Sequence, residues 1–447
     1  MRSLEARGRG RISLLVVPFG LLLLETASTS CANTDEAGGG GEVDASNRIA
    51  PDDASADADA GECDGGPCTP PTDVDCSHVE WCPAKTSHPS RYGLSSIWGS
   101  GPNDVWAVGA FGSVTHWDGT TWTTAPIDAH ASLRAVWGTG PDDVWTMSAP
   151  NQIYHSTGFV NGAAQWTAAS PVISDPIDSL AVGGAIWGTG RGDIWILGRS
   201  LPVQRPDDFF LELGWRTAVI DGAPGWAPVV RDWNFEMVRG IWGSGPGDVW
   251  IVGNKFDSLA FAAHSGGVAA AEGGVPVWTE IDVQAPSPLY AVWGSGAEDV
   301  WAVGDDGTIR HFTANARFGT AVVSPTRENL RGIWGTGPND IWAVGDNGTI
   351  RHLVNGASRW DIVPSPTTEA LHGIWGSGPN DVWAVGDNGT ILHFDGKGWK
   401  KSTAAFGIGR KPRLAAIWGS GPNDVWIVGD AVSLHYTGPK PGVQETE

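Results

Sequence analysis

The feature that most constrains this chain is a nine-residue pattern, W-G-[ST]-G-x-x-D-[VI]-W. It opens at Trp98, Trp137, Trp187, Trp242, Trp293, Trp334, Trp375 and Trp418. The eight copies stand 39, 50, 55, 51, 41, 41 and 43 residues apart. A unit this short cannot bury its own apolar face, so it must stack on its neighbours. A chain of 447 residues would otherwise suggest about three domains. The repeat overrides that expectation.

Each copy reads as four short strands. In the seventh, "LHGIWG" from Leu371 is followed by "DVWAVG" from Asp381, "GTILHF" from Gly389 and "GWKKST" from Gly398. Asn388-Gly389 lies between two apolar runs, a two-residue hairpin signal in which both turn positions need positive φ. Val382 to Val385 are all apolar, as in a strand covered on both faces. With Gly 63 and Trp 26 against Lys+Arg 28, helical bundles are disfavoured, because glycine weakens helix interiors. Four strands per repeat of about 40 residues predict an all-β, eight-bladed β-propeller over residues 76–440, with 441–447 as a C-terminal tail. The last copy ends before a fourth strand, whereas "HVEWCPAKT" around Trp81 reads as an orphan one. Lending it to the last blade closes the ring and covers an open edge.

The N-terminus reads as an export signal over residues 1–30. Arg2, Arg7, Arg9 and Arg11 precede the apolar run Ile12 to Leu24, which is shorter than the ~20 residues a spanning helix needs. In "STSCAN", Cys31 stands where a bacterial lipoprotein signal places its lipidated cysteine, although Ser28 replaces the usual leucine; cleavage without lipid, giving a secreted protein, is the alternative. Removing Cys31 from the five cysteines leaves Cys63, Cys68, Cys76 and Cys82, which predict two disulfides in an oxidising compartment. Their spacing matches no standard zinc pattern. Residues 31–75 form an acidic linker rich in Gly, Ala and Asp, a composition that cannot offset its ordering entropy. From Cys31 to Glu80 there are 13 acidic residues and one arginine, within a formal net charge of -22. Such charge repels phosphate backbones, so nucleic acid is excluded as a partner. Membrane contact is expected only through an N-terminal lipid.

The repeats resemble those of Trp-rich β-propeller lipoproteins of bacterial surfaces, and more distantly tectonin-type and Asp-box propellers. The likeness covers about 76–440. It implies a surface-anchored propeller and no particular activity, because propellers host many functions. Ala32 after the cysteine resembles signals for outer-membrane sorting, facing either the periplasm or the cell surface.

Groups repeated in every blade serve needs that every blade shares. The 16 motif tryptophans are therefore expected as wedges between blades, each removing about 150–250 Å² from water. The motif aspartates (Asp104, Asp143, Asp193, Asp248, Asp299, Asp340, Asp381 and Asp424) are too dispersed for calcium and are expected to cap turns through backbone N–H groups. Seven third strands carry a histidine: His116, His155, His264, His311, His352, His393 and His435. They belong to different blades and are assigned to packing; no metal or cofactor is expected. In the third blade the corresponding place is occupied by "FFLELGW".

What differs between blades is one position near the start of each first strand: Ser95, Arg134, Gly184, Arg239, Tyr290, Arg331, His372 and Ala415. The first strand of a propeller lines the central channel. Arg134, Arg239, Tyr290, Arg331 and His372 thus predict a polar, partly cationic collar at one channel mouth, the residue types typical of binding hot spots. Inserted loops at Arg199–Asp208 and Asn254–Ala260 lie towards the same face. Nucleophile-elbow, zincin and P-loop patterns are absent. The expectation is a monomeric, non-catalytic envelope lipoprotein that binds a protein or glycan, with an exported carbohydrate-active enzyme as the rival.

Overall fold

The computed structural model describes residues 75–443, except for short connecting segments of which 170–181 is the longest. The predicted signal peptide, Cys31, Cys63, Cys68 and nearly all of the linker lie outside the described residues.

Eight four-stranded antiparallel sheets follow one another along the chain. In the seventh, Leu371–Gly378, Asp381–Gly386, Ile391–Phe394 and Trp399–Lys401 pair in sequence order. Every innermost strand packs on those of both neighbouring blades, the first on the eighth included, so the ring closes. Asp381–Gly386 is buried at every position after its first residue, as its unbroken apolar run predicts. The following turn has Asn388 at φ 52° and Gly389 at φ 64°, the positive-φ pair expected of Asn-Gly. Eight apolar clusters fill the eight gaps between blades. The core is therefore distributed around the ring.

Three tryptophan positions build seven of the gaps; in the one between the fourth and fifth blades Phe312 meets Trp250 in place of the third. The first motif indole reaches the glycine that follows the same tryptophan in the next blade. A Cβ added at Gly138 would lie 2.6 Å from Trp98 Cη2, and one at Gly376 would lie 2.6 Å from Trp334 Cη2. The series runs through all eight blades and ends with Trp418 against Gly99 of the first. Glycine is required here because an indole occupies the space of a side chain. The second motif tryptophan is buried in every blade. An outermost-strand tryptophan meets it edge-on from the next blade, as with Trp166 on Trp106 (5.5 Å, 87°) and Trp399 on Trp342 (5.4 Å, 80°). The wedge reading holds for both motif positions.

The motif aspartates do something other than cap turns. Asp104 Oδ1 accepts the Trp106 indole N–H at 3.0 Å and His116 Nε2 at 2.7 Å, while Oδ2 accepts the Ser100 hydroxyl at 2.6 Å. The aspartate–hydroxyl and aspartate–histidine contacts recur down to Asp424 with Ser420 and His435. The imidazole also stacks on the buried indole, 3.6 Å between Trp426 and His435 centroids. Side chains, not backbone amides, are the partners, because a β-bulge at Ser/Thr turns the hydroxyl towards the carboxylate. In the third blade the third strand is Gly214–Ile220, later than "FFLELGW" suggested. Phe209–Phe210 instead pairs with Val203–Gln204 in a separate two-stranded sheet. Arg216 replaces histidine, with Nε 3.0 Å from Asp193 Oδ1 and its guanidinium 4.9 Å from the Trp195 ring.

The ring closes as the orphan strand predicts. Cys82–Pro83 pairs with Val432–Tyr436, with Cys82 opposite His435 and Pro83 opposite Leu434. Trp81 is fully buried and takes the outermost-tryptophan place of the eighth blade, 5.0 Å and 86° from Trp383 of the seventh. Its indole N–H donates to Ser402 Oγ at 3.0 Å. A Cys76–Cys82 disulfide, one of the expected pairings, fastens the segment. Lys440 Nζ donates to the Cys76 and Val79 carbonyls at 3.2 and 2.9 Å.

Candidate binding face

The variable position owes its placement to backbone geometry. In the pairing of first with second strands, Leu371 faces Gly386 and Gly373 faces Val385, so His372 is the extra residue of a β-bulge. The same shift isolates Ser95, Gly184, Arg239, Tyr290, Arg331 and Ala415. A bulge bends the strand and re-aims the extra side chain. In the second blade the strand begins two residues later, at Ala135, and Arg134 precedes it.

Four of the five predicted residues fall in one arc along blades four to seven. The Arg239 guanidinium lies 5.0 Å from the Tyr290 ring, and that of Arg331 lies 5.6 Å from the same ring. Such cation–π contacts tie three blades together side by side. Arg239 Nε donates to Asn254 Oδ1 at 3.0 Å. Arg331 binds Asp346 with both prongs of its fork, at 2.5 and 2.8 Å. Asn329 adds a third bond to that carboxylate at 2.9 Å. His372 Nε2 is 2.8 Å from Asp387 Oδ1, with Arg413 3.8 Å from the same oxygen. Arg134 is exposed and stands apart from these contacts.

Charges along the arc alternate. The Arg331 hydrogen bonds hold Asp346 below the usual carboxylate range against the opposing effect of burial, and the same contact raises Arg331. Burial, with a hydrogen bond to Asp305, pushes the Tyr290 phenol up to about 12. Tyr290 is therefore neutral at physiological pH, a donor with its ring clasped by two cations.

The acids were missed because they lie on another strand end. Asp305, Asp346 and Asp387 open the turn between second and third strands, each 15 residues after the variable position of its own blade. Asn254 stands at the same spacing from Arg239. That interval, visible in "GDDG" and "GDNG", was the signal available. It converts an expected cationic collar into a paired polar arc in which the terminal nitrogens of Arg239 have no carboxylate partner among the described residues.

These turns share one face with the connectors between blades, and the second insertion belongs to that face. There the strands Asp248–Lys255 and Ala260–Val268 lengthen, with Asn254 opposite Ala260. Phe111 in the corresponding turn of the first blade is 68% exposed and held at φ 54°. A bulky residue in the left-handed region is strained, and such positions gather at functional sites. Among the described residues no group of three or more His, Cys, Asp or Glu could hold a metal ion.

No protein-family profile matches the chain, and no curated protein matches it. Solved structures do. Sqt1 of Chaetomium thermophilum superposes with a TM-score of 0.57 at 13% identity, covering 81% of this chain and 98% of that one. The C-terminal WD40 domain of Sif2 gives 0.54 at 9%, covering 79% and 98%. YCF48 from Cyanidioschyzon merolae gives 0.52 at 16%, covering 80% and 99%. At these identities the likeness shows the propeller fold alone.

Proposed function

We propose that this chain is a non-catalytic binding protein of the cell envelope. It is exported, lipidated at Cys31 and sorted to the outer membrane, and it presents its propeller as a monomeric recognition platform for a protein or glycan. The observation that carries this reading is the arc from Arg239 through Tyr290 and Arg331 to His372. It is assembled from a first-strand position at which the blades differ. An asymmetric ligand can be recognised only where the repeats are unlike, and the arc supplies a phenol, guanidinium nitrogens and carboxylates together. A WD40-like propeller fold fits a scaffold or protein-binding role.

Arg239 is the residue to test, because Arg331 also neutralises Asp346 and its loss disturbs the arc itself. The full chain is screened against glycan and extracellular protein arrays, with hydrolase substrates in parallel. Arg239→Ala should weaken the ligand found by about 1.5–3 kcal/mol for each charged hydrogen bond lost, with unchanged melting. Turnover without stoichiometric binding would establish the enzyme reading instead. Full affinity in that variant moves the site off the arc. Labelling with an alkyne fatty acid tests the anchor: wild type should incorporate label and Cys31→Ala should not.

A further inference from the structure

Between Gly396 and Asn423 the chain has Lys397, Lys400, Lys401, Arg410, Lys411 and Arg413 and no acidic residue, in a protein of formal net charge -22. Two of these cations are occupied: Lys400 Nζ bonds Asp395 at 2.9 Å, and Arg413 faces Asp387. Lys401 and Lys411 are exposed and have no carboxylate partner among the described residues. Both line a cleft of 590 Å³ outside the arc, on the same face.

The cleft has a structural origin. The connector from the fifth blade to the sixth has eight residues, 322–329, and the next has seven, 364–370; the one from the seventh to the eighth has twelve, 402–413. In the fifth and sixth blades the connector carbonyl covers the turn glycine, so that a Cβ at Gly307 or Gly348 would meet Thr326 O at 2.2 Å or Thr367 O at 1.9 Å. In the seventh, Gly389 instead faces the Phe406 ring and Lys411. The Phe406 ring, 2.7 Å from where a Gly389 Cβ would lie, takes the place of that carbonyl, and the cleft lies beside it. Beside the two lysines the wall includes Thr367, Thr368 and Asn388, with Glu369 as its one carboxylate among the described residues.

We propose that this cleft is a binding site for a carboxylated oligosaccharide two or three sugars long. Its volume lies in the range of small-ligand sites, about 300–1,000 Å³. Two unpaired ammonium groups against one carboxylate select an anion. The hydroxyls, the Asn388 amide and the Glu369 acceptor match the donors and acceptors of a polyhydroxylated ring better than they match a peptide's apolar side chains. The assignment does not depend on the arc and stands or falls separately.

The test titrates trigalacturonic acid into the full chain by calorimetry, beside its neutral methyl ester, hexaglutamate and inorganic phosphate. The acid trisaccharide should bind with 1:1 stoichiometry, and the methyl ester at least tenfold more weakly. Lys401→Gln/Lys411→Gln should weaken the acid at least tenfold with unchanged melting, whereas Arg239→Ala should leave it unaltered. No binding of the acid trisaccharide, equal binding of the ester, tighter binding of hexaglutamate or phosphate, or an unaffected double variant each overturns the proposal.

Discussion

Trp81→Ala isolates the closure of the ring. Trp81 is fully buried between the seventh and eighth blades, edge-on to Trp383 and 5.3 Å from Tyr436. Truncating a buried tryptophan costs about 3–5 kcal/mol, transfer and cavity terms together. The lost indole bond to Ser402 adds little, because that hydroxyl also donates to Glu80. The closing strand is only two residues long, so local collapse limits the cavity and favours the middle of the range, about 4 kcal/mol. Trp81→Phe keeps most of the contact and should cost about 1.5 kcal/mol. Urea unfolding gives the magnitudes, and hydrogen exchange gives the location. Protection should fall in Val432–Tyr436 and Trp399–Lys401 and stay unchanged in Asp248–Lys255, across the ring. Deletion through Lys85 should reproduce the loss, and deletion through Asp73 should not. An unchanged urea midpoint in Trp81→Ala, or protection lost equally in all blades, would refute the closing role.

Three further outcomes follow from the repeated contacts. Asp104, Asp381 and Asp424 lie below their ordinary value of 3.8, because hydrogen bonds from His, Ser and Trp outweigh the upward pull of burial. Their contribution is thus complete above that value and is lost as pH falls through the lowered folded values. Asp381→Asn should cost about 2 kcal/mol at pH 7 and flatten the acid limb, read from urea midpoints between pH 2 and 7. Gly376→Ala should cost about 2 kcal/mol or more, since its Cβ would lie 2.6 Å from Trp334 Cη2 and 2.7 Å from the Asp381 carbonyl oxygen. Gly378→Ala, with nothing within 4 Å, should stay within about 0.5 kcal/mol by thermal melting. Replacing Cys76 and Cys82 by serine should lower stability by about 2 kcal/mol, matched by reduction of the wild type.

Strand order, blade number and closure were legible because each rests on local chemistry: apolar runs, an Asn-Gly turn, and a motif that repeats at blade spacing. The partners of Asp104 were not, since its carboxylate meets His116 from the third strand and Ser100 through a bulge. Bulges leave no mark in a period-two pattern. The third strand of the third blade was misplaced for a related reason. Phe209 and Phe210 offer a stronger β signal than "GWRTAV", but it is Arg216 that takes the histidine's place at Asp193. At the candidate site the variable positions could be read from the repeat alignment. Their neutralising acids required the strand register that places residues 15 apart on one edge.

The indole-on-glycine contact has a direction: every blade gives a tryptophan on one side and receives one on the other. The ring is therefore a head-to-tail assembly that a single chain carries out internally. Such an interface closes only when the rotation per step divides a full turn, about 45° for eight steps. Blade number is thus a property of an angle, held by Trp98 on Gly138 and its seven equivalents, and of no particular blade. None of these contacts passes through the bulged residue of the first strand. The bulged residue can thus be exchanged from arginine to tyrosine to histidine without disturbing the step that closes the circle.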